Sequence, residues 1–392
     1  MNKKIIVVGG CGHIGLPLSV ALANAGFNVV AYDINQNNVD YALTGKMPFI
    51  EDNGDEQLFK ALKSQKLDIR SILLDDDIGS DFILTLGTPV DEFLNPSFSI
   101  FEKSLTPLLK YFTDESLIIL RSTVYPGTTD WLHNFLIENK KKPNVAFCLE
   151  RVVQCKTLEE IKELPQIVSA TSKYAEQRAS DIFLKLTKKV ITCEPKEAEF
   201  AKLFLNSYRY IQFAIANQFF ILANDAGLDF HKIRKIMSED YPRADGLPGP
   251  GFAAGPCLFK DTMQLVSFAQ NNFGLGFHAM LVNEGLVLYI KNLIEKEYDG
   301  FNTTVGLLGM AFKKDCDDIR SSLSYKLKKT LKPIVKNVIC TDDLVSDDPD
   351  LKSLEETLEK SDVLVLCTPH SYLKKIKVNK PIIDIWNYLD HE

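Results

Sequence analysis

The sequence predicts an α/β protein built on a doubly wound parallel sheet, followed by a long central helix and a second, smaller α/β unit. Three observations lead there. Short apolar runs alternate with helical patterns through the first half of the chain, as in sheets whose crossovers are helices. Every strand signal then disappears between about residues 196 and 226, and only helical spacing is left. After Thr303 the alternation resumes over a shorter span. The 392 residues exceed one average domain, which agrees with this division.

The elements follow in order. Residues 5–9 read as a buried strand, 16–25 as the next helix and 29–32 as the next strand. Residues 82–86, 117–120 and 145–148 read as further strands. Residues 165–170, a helix over 173–186 and residues 189–192 complete a first domain of residues 1–195. In the central region, 196–298, apolar residues recur at helical spacing: Phe200, Leu203, Phe204, Ile211, Ala214, Ile215, Phe219 and Leu222, with Ser207 and Gln218 on the same stripe. At 1.5 Å per residue this helix is roughly 45 Å long. Phe213 and Phe220 lie off the stripe, so more than one face is apolar. That suits a core helix, an inter-domain spine or a subunit contact. A second helical stretch is expected over 263–298. The last region, 299–392, shows strands at 304–308, 338–341, 363–367 and 382–385, with a helix over 353–360. The loop Ser346-Asp347-Asp348-Pro349-Asp350 reads as a solvated turn, and no repeat between the two α/β regions is visible at residue level.

Composition is that of a globular protein, with 45% hydrophobic and 25% charged residues. A net charge of −7 argues against general binding to nucleic acid or to a membrane surface, since both need a basic face. Eight cysteines include no CxxC pair and no clustering with the six histidines, so no metal is expected and the thiols read as reduced. The first apolar run is short and is broken by Gly9-Gly10, unlike a signal peptide. A soluble cytoplasmic protein is therefore expected.

Gly10-Cys11-Gly12-His13-Ile14-Gly15 is a GxGxxG fingerprint between a strand and a helix, the context that gives the motif meaning. Its glycines admit a pyrophosphate close to the backbone, where a helix N-terminus offers N–H groups. Asp33 ends the following strand, where a carboxylate accepts from a ribose 2′-OH and repels a 2′-phosphate. NAD is thus expected rather than NADP, with His13 shaping the loop. Thr88-Pro89 and the run Arg121-Ser122-Thr123-Val124-Tyr125-Pro126-Gly127-Thr128-Thr129 end strands at the ligand-binding edge, as caps or as ligand contacts. Glu150-Arg151 ends another strand. Glu199 lies one turn before Lys202, and Lys202 and Asn206 share a helix face in apolar surroundings. They form either a solvated polar pair or a site needing a partner. Cys257 sits in Gly249-Pro250-Gly251-Phe252-Ala253-Ala254-Gly255-Pro256, ahead of Lys260-Asp261. Lone cysteines are mostly buried hydrophobes, but this one has flexible, charged company that favours a thiolate.

Together these motifs resemble the nucleotide-sugar 6-dehydrogenases, the family of UDP-glucose dehydrogenase. The resemblance rests on Gly10–Gly15, Thr88-Pro89, Arg121–Thr129, Glu150, Ala198–Asn206, Gly249–Asp261, Gly309-Met310-Ala311-Phe312-Lys313-Lys314-Asp315 and Asp318-Ile319-Arg320-Ser321-Ser322. It implies two Rossmann-like domains joined by a long helix, a homodimer formed largely on that helix, and two NAD-bound oxidations at C6 of a nucleotide-linked hexose. By the same resemblance Cys257 is the nucleophile that carries a thiohemiacetal and then a thioester. Lys202 and Asn206 lie near the reacting oxygen, and Asp261 works with a water as general base. Glu150 and Thr123 assist proton transfer and hydrolysis. Substrate contacts fall to Glu150, Arg151, Lys202, Asn206, Gly251, Phe252, Lys260, Phe312, Lys313 and Arg320. Arg243 matches an arginine that reaches a sugar site from the partner subunit.

The chain departs from the family in places. Phe252-Ala253-Ala254-Gly255 stands where Gly-Phe-Gly-Gly is usual, which narrows the loop and restricts φ. The spacing from Arg243 to Cys257 is short for the family, and the last sixty or so residues are less family-like. Glu150-Arg151-Val152-Val153-Gln154 and Thr88-Pro89-Val90-Asp91-Glu92 tilt the expectation toward a UDP-N-acetylhexosamine. Two other readings stand beside this one: a two-electron hydroxyacid-type dehydrogenase in which Cys257 is incidental, and a non-catalytic NAD- or nucleotide-sugar-binding regulator.

Overall fold

A computed structural model describes residues 3–88 and 98–389. Pro89, Val90, Asp91 and Glu92 lie outside the described residues. The chain divides into two compact units, Met1–Phe204 and Leu205–Glu392.

The first unit is built on an eight-stranded sheet. Its strands are β1 (Ile5–Val8), β2 (Val29–Tyr32), β3 (Leu67–Arg70), β4 (Asp81–Leu84), β5 (Leu117–Leu120), β6 (Asn144–Phe147), β7 (Gln166–Ala170) and β8 (Val190–Thr192). They lie in the order β3-β2-β1-β4-β5-β6-β7-β8. All neighbours are parallel except β6 and β7. The order reverses between β1 and β4, and in such sheets ligands bind outside the strand carboxyl ends at this switch point. β1, β4 and β5 are buried at every position, as expected of parallel strands covered on both faces. One core on the first face gathers Leu16, Leu22 and Leu58; the other gathers Phe82, Leu120 and Phe147.

The second unit has a four-stranded sheet of β9 (Thr304–Leu308), β10 (Asn337–Thr341), β11 (Val363–Leu366) and β12 (Ile382–Ile383). Its order is β10-β9-β11-β12 and every pair is parallel. Its switch point lies between β9 and β11.

The central helix runs from Pro195 to Asp225, beginning in the first unit and continuing in the second. The predicted stripe is only partly the buried one. Leu203, Ser207 and Ala214 are buried, together with Asn206, Tyr210 and Asn217. Phe204, Ile215, Phe219 and Leu222 are exposed, as is Tyr208. The helix therefore carries two apolar faces, and the sequence pattern had merged them. The expected helix over 263–298 is two helices, Leu258–Phe268 and Gly274–Glu297. Between them Gln270 and Asn271 adopt left-handed backbone, which ends a helix. The acidic turn at 346–350 is not wholly solvated: Asp348 Oδ2 accepts from the Tyr325 hydroxyl at 2.7 Å.

Glu199 is fully buried, not part of a solvated pair. Its carboxylate accepts from the Gly127 N–H at 2.6 Å, the Thr129 N–H at 2.8 Å and the Thr129 hydroxyl at 2.6 Å. It thus caps the helix Thr128–Glu138 from outside that helix. Burial pushes its carboxyl up, and these bonds partly offset that. Replacing Glu199 by Ala strands three donors and should cost about 2–4 kcal/mol. Thermal or urea unfolding followed by circular dichroism would check this, and an unchanged midpoint would contradict it.

Candidate active site

The fingerprint loop joins β1 to the helix Gly15–Asn24, and Ile14 stands at the N-cap of that helix. Packing explains the glycines separately. A Cβ on Gly10 would lie 2.6 Å from the Ala31 backbone, and one on Gly15 would lie 2.0 Å from the Gly9 carbonyl oxygen. These two let chain pass chain. At Gly12 a Cβ would meet nothing closer than 3.4 Å, so that position faces open space where a ligand can approach. The His13 ring rests against Phe49, with centroids 4.3 Å apart. The Thr85 hydroxyl donates to the Val8 carbonyl at 2.7 Å and braces the loop from β4.

Asp33 follows β2 and accepts from the Cys11 N–H at 3.0 Å and from the Asn35 N–H at 3.0 Å. It therefore shapes the fingerprint loop, and each oxygen keeps a lone pair for a ribose hydroxyl. The residues present fit an NAD: an open glycine, a helix N-terminus and a carboxylate together. Thr88 and Thr123 lie past the carboxyl ends of β4 and β5, on the edge beside the switch point.

Glu150, past β6, is nearly buried and forms an ion pair with Arg121. Its other oxygen accepts from the Arg151 and Val152 N–H groups at 2.7 and 2.9 Å. Arg121 also donates to Gln166 Oε1 at 2.7 Å and to the Cys148 carbonyl at 3.1 Å. Glu150 is thus a braced carboxylate at the end of β6, with Arg121 as a partner the sequence did not reveal. Arg151 donates to the Pro165 carbonyl.

In the second unit Cys257 is exposed, whereas Cys11, Cys148, Cys155, Cys316, Cys340 and Cys367 are buried and Cys193 is half-buried. Cys257 is the N-cap of the helix Leu258–Phe268, whose positive end favours a thiolate. Arg320 is close enough for the Cys257 charge to act on it; its main partner is Asp318, bound at 2.6 and 3.0 Å, which raises its basicity further. The Arg320 side chain is half exposed. Burial pushes two of the buried thiols up: Cys148 to about 12, and Cys11 to about 12 with Asp33 adding to the effect.

The loop that carries Cys257 is fastened from three sides. Gly255 has φ +101° and its N–H donates to the Ser321 carbonyl at 3.2 Å. A Cβ there would stand 2.6 Å from the Phe312 ring, so glycine is required twice over. The Asn217 side chain donates to the Gly251 carbonyl at 3.0 Å and accepts from the Gly251 N–H at 2.8 Å. It also donates to Asn283 at 2.9 Å. Asn217 was missed because a lone asparagine in a helix gives no sign of its partner. Phe252 is buried in the core of the small domain. Ala253 packs with Tyr210, Ala214 and Ala279. Neither Ala253 nor Ala254 has positive φ, so the expected restriction on φ does not arise.

Asp261 is fully buried and accepts from Asn206 Nδ2 at 2.5 Å; Lys260 Nζ stands 3.6 Å from its other oxygen. This joins the central helix to the helix Leu258–Phe268, one turn from Cys257. Lys202 lies one helical turn before Asn206 and is half-buried. Lys313 and Phe312 lie on the loop after β9. Arg243 is exposed; it stands over the Tyr241 ring at 5.7 Å and donates to the Tyr241 hydroxyl at 3.4 Å.

The iodoacetamide reaction gives a direct check. Cys257 should be alkylated well before the other seven thiols in native protein, and more slowly at neutral pH in Arg320→Ala. Peptide mass spectrometry reads the site; labelling spread over several cysteines would contradict the assignment.

The chain is similar to known proteins along its length. Residues 3–187 match the NAD binding domain, residues 196–284 the central domain and residues 306–391 the UDP binding domain of the UDP-glucose/GDP-mannose dehydrogenase family. A UDP-N-acetyl-D-mannosamine dehydrogenase of Methanococcus vannielii is 31% identical over 99% of this chain and 94% of its own length. The structure of a UDP-D-ManNAc dehydrogenase from Pyrococcus horikoshii superposes with a TM-score of 0.91 at 28% identity, covering 99% of this chain and 96% of that one. An NDP-N-acetyl-D-galactosaminuronic acid dehydrogenase from Methanosarcina mazei gives a TM-score of 0.77 at 25% identity, over 96% and 87% of the two chains. No described helix is long and apolar enough to cross a membrane.

Proposed function

The chain belongs to the UDP-glucose/GDP-mannose dehydrogenase family and is an NAD-dependent nucleotide-sugar dehydrogenase; from that premise we propose that it carries out a four-electron oxidation at C6 of a UDP-N-acetylhexosamine. The names of its relatives favour UDP-N-acetyl-D-mannosamine. The observation that carries the mechanism is Cys257, an exposed thiol at a helix N-cap and near enough to Arg320 for their charges to interact.

In the first oxidation the C6 alcohol loses a proton and its hydride passes to NAD, leaving an aldehyde. The Cys257 thiolate then adds to the aldehyde carbon. The resulting thiohemiacetal gives its hydride to a second NAD and becomes a thioester, which water cleaves to the carboxylate and the free thiol. NAD supplies the hydride acceptor; the chain supplies the rest. Lys202 and Asn206 would steady the developing oxyanion, since preorganised donors are worth most in a dry site. Asp261, held by Asn206, would take the proton through a water. Thr123 and Glu150, at the ends of β5 and β6, would order the hydrolytic water. Lys313 and Arg320 suit a diphosphate, and Gly251, Phe252, Lys260 and Phe312 suit the sugar. Gly10, Gly12, His13, Ile14, Gly15, Asp33, Thr88 and Pro89 would hold the dinucleotide.

On this reading residues 1–195 serve NAD, 196–298 carry the nucleophile loop and the subunit contact, and 299–392 serve the nucleotide sugar. The exposed stripe Phe204, Tyr208, Ile215, Phe219 and Leu222 supports a homodimer, and Arg243 would reach the partner's site. Its cysteines suit a cytoplasmic enzyme.

Counting hydrides tests this. Two NADH formed per UDP-N-acetylmannosamine consumed is the expected result, with Cys257→Ser losing at least 100-fold in acid formation, the order seen when a key catalytic group is removed. One NADH per sugar would support a two-electron dehydrogenase, and binding without turnover a non-catalytic role.

A further inference from the structure

The small sheet carries a buried network that this scheme does not use. His370, in the loop after β11, is fully buried. Its Nδ1 accepts from the Asp315 N–H at 3.0 Å. A ring nitrogen that accepts is bare, so the proton of the neutral ring sits on Nε2. Nε2 lies 3.0 Å from Asp342 Oδ2 and donates to it. The same oxygen takes the Met310 and Ala311 N–H groups at 2.7 and 2.9 Å. Burial opposes ionisation of Asp342, but the bond from His370 and these amides prevail, and its carboxyl lies below the usual range. Asp315 closes the circuit by accepting from the Ser371 N–H at 2.7 Å and the Ser371 hydroxyl at 2.6 Å.

The loops after β9, β10 and β11 are therefore tied together at the sheet's carboxyl edge. The loop after β9 is gripped at both ends, Met310-Ala311 and Asp315, with Phe312 and Lys313 between the grips. We propose that His370 is a positioning residue for the nucleotide half of the substrate: its Nε2–H tautomer couples Asp342 to Asp315 and so fixes the segment that presents Lys313 at the β9/β11 switch point. This rests on the reading that the small domain binds the nucleotide sugar. The reason is preorganisation. A loop already ordered loses less freedom on binding, so its ligand binds more tightly.

Two substitutions divide the imidazole's tasks. His370→Gln keeps a donor toward Asp342 and loses the acceptor for Asp315. His370→Asn keeps an acceptor near Nδ1 and loses the donor. UDP binding by calorimetry and steady-state kinetics with the full-length enzyme are the readouts. Each variant should weaken UDP and raise KM for the nucleotide sugar by roughly ten-fold, as for one lost buried hydrogen bond, while kcat and KM for NAD stay within about two-fold. Ser371→Ala trims only an exposed part of the circuit and should weaken UDP by about three-fold, a result that decides the matter if the His370 variants fail to fold. Wild-type UDP affinity in the variants, or an equal rise in KM for NAD, would overturn the proposal. A native enzyme that does not bind UDP at all would instead overturn the reading on which it rests.

Discussion

Peptide N–H groups that leave a parallel sheet at its carboxyl edge must find acceptors, and this chain supplies buried or half-buried carboxylates. Asp33 receives the Cys11 amide of the fingerprint loop. Asp342, at the corresponding place after β10, receives the Met310 and Ala311 amides of the loop after β9. Glu150 takes the two amides that follow it, and Glu199 takes those of Gly127 and Thr129. An unmet buried donor costs about 1–3 kcal/mol, so these acids decide the shape of the loops on which ligands would rest. The two units repeat one solution: first strand, loop, second strand, carboxylate back to the loop.

The same constraint distributes the charge. A net charge of −7 suggests an acidic molecule, yet several acids are spent on backbone amides inside the structure. Cations also lie near the candidate chemistry: Lys260 and Arg320, each beside a carboxylate, in the region of Cys257, and Lys313 on the loop after β9. Cys257 stands at the N-terminal end of its helix, within electrostatic reach of Arg320. The Asn217 side chain and the Gly255 N–H then hold its loop through bonds to Gly251 and Ser321.

What could be read in advance was what is local. The glycine fingerprint between a strand and a helix, and most strands, are short runs legible from neighbouring residues. β3 escaped because Leu67-Asp68-Ile69-Arg70 is a short edge strand with two charged positions. The break near Asn271 was signalled by two asparagines and Gly274, a C-terminal signature that helical spacing on both sides obscured. Partners far apart in sequence were invisible: Arg121 with Glu150, Glu199 with Thr129, Asn217 with Gly251 and His370 with Asp342. Ala253 and Ala254 were read as crowding the loop, because only the fold shows Ala253 turned into an apolar cluster. The parallel between Asp33 and Asp342 is likewise a matter of place in the sheet, with no shared motif to reveal it.

The central claim is a covalent bond between Cys257 and the oxidised sugar. Acid quenching during turnover with NAD and UDP-N-acetylmannosamine, followed by peptide mass spectrometry, tests it directly. The account predicts an acyl adduct, the mass of the oxidised nucleotide sugar less water, on the peptide containing Cys257, and its removal by hydroxylamine. Full turnover to the acid with no adduct on that peptide, or with an adduct on another residue, would contradict it.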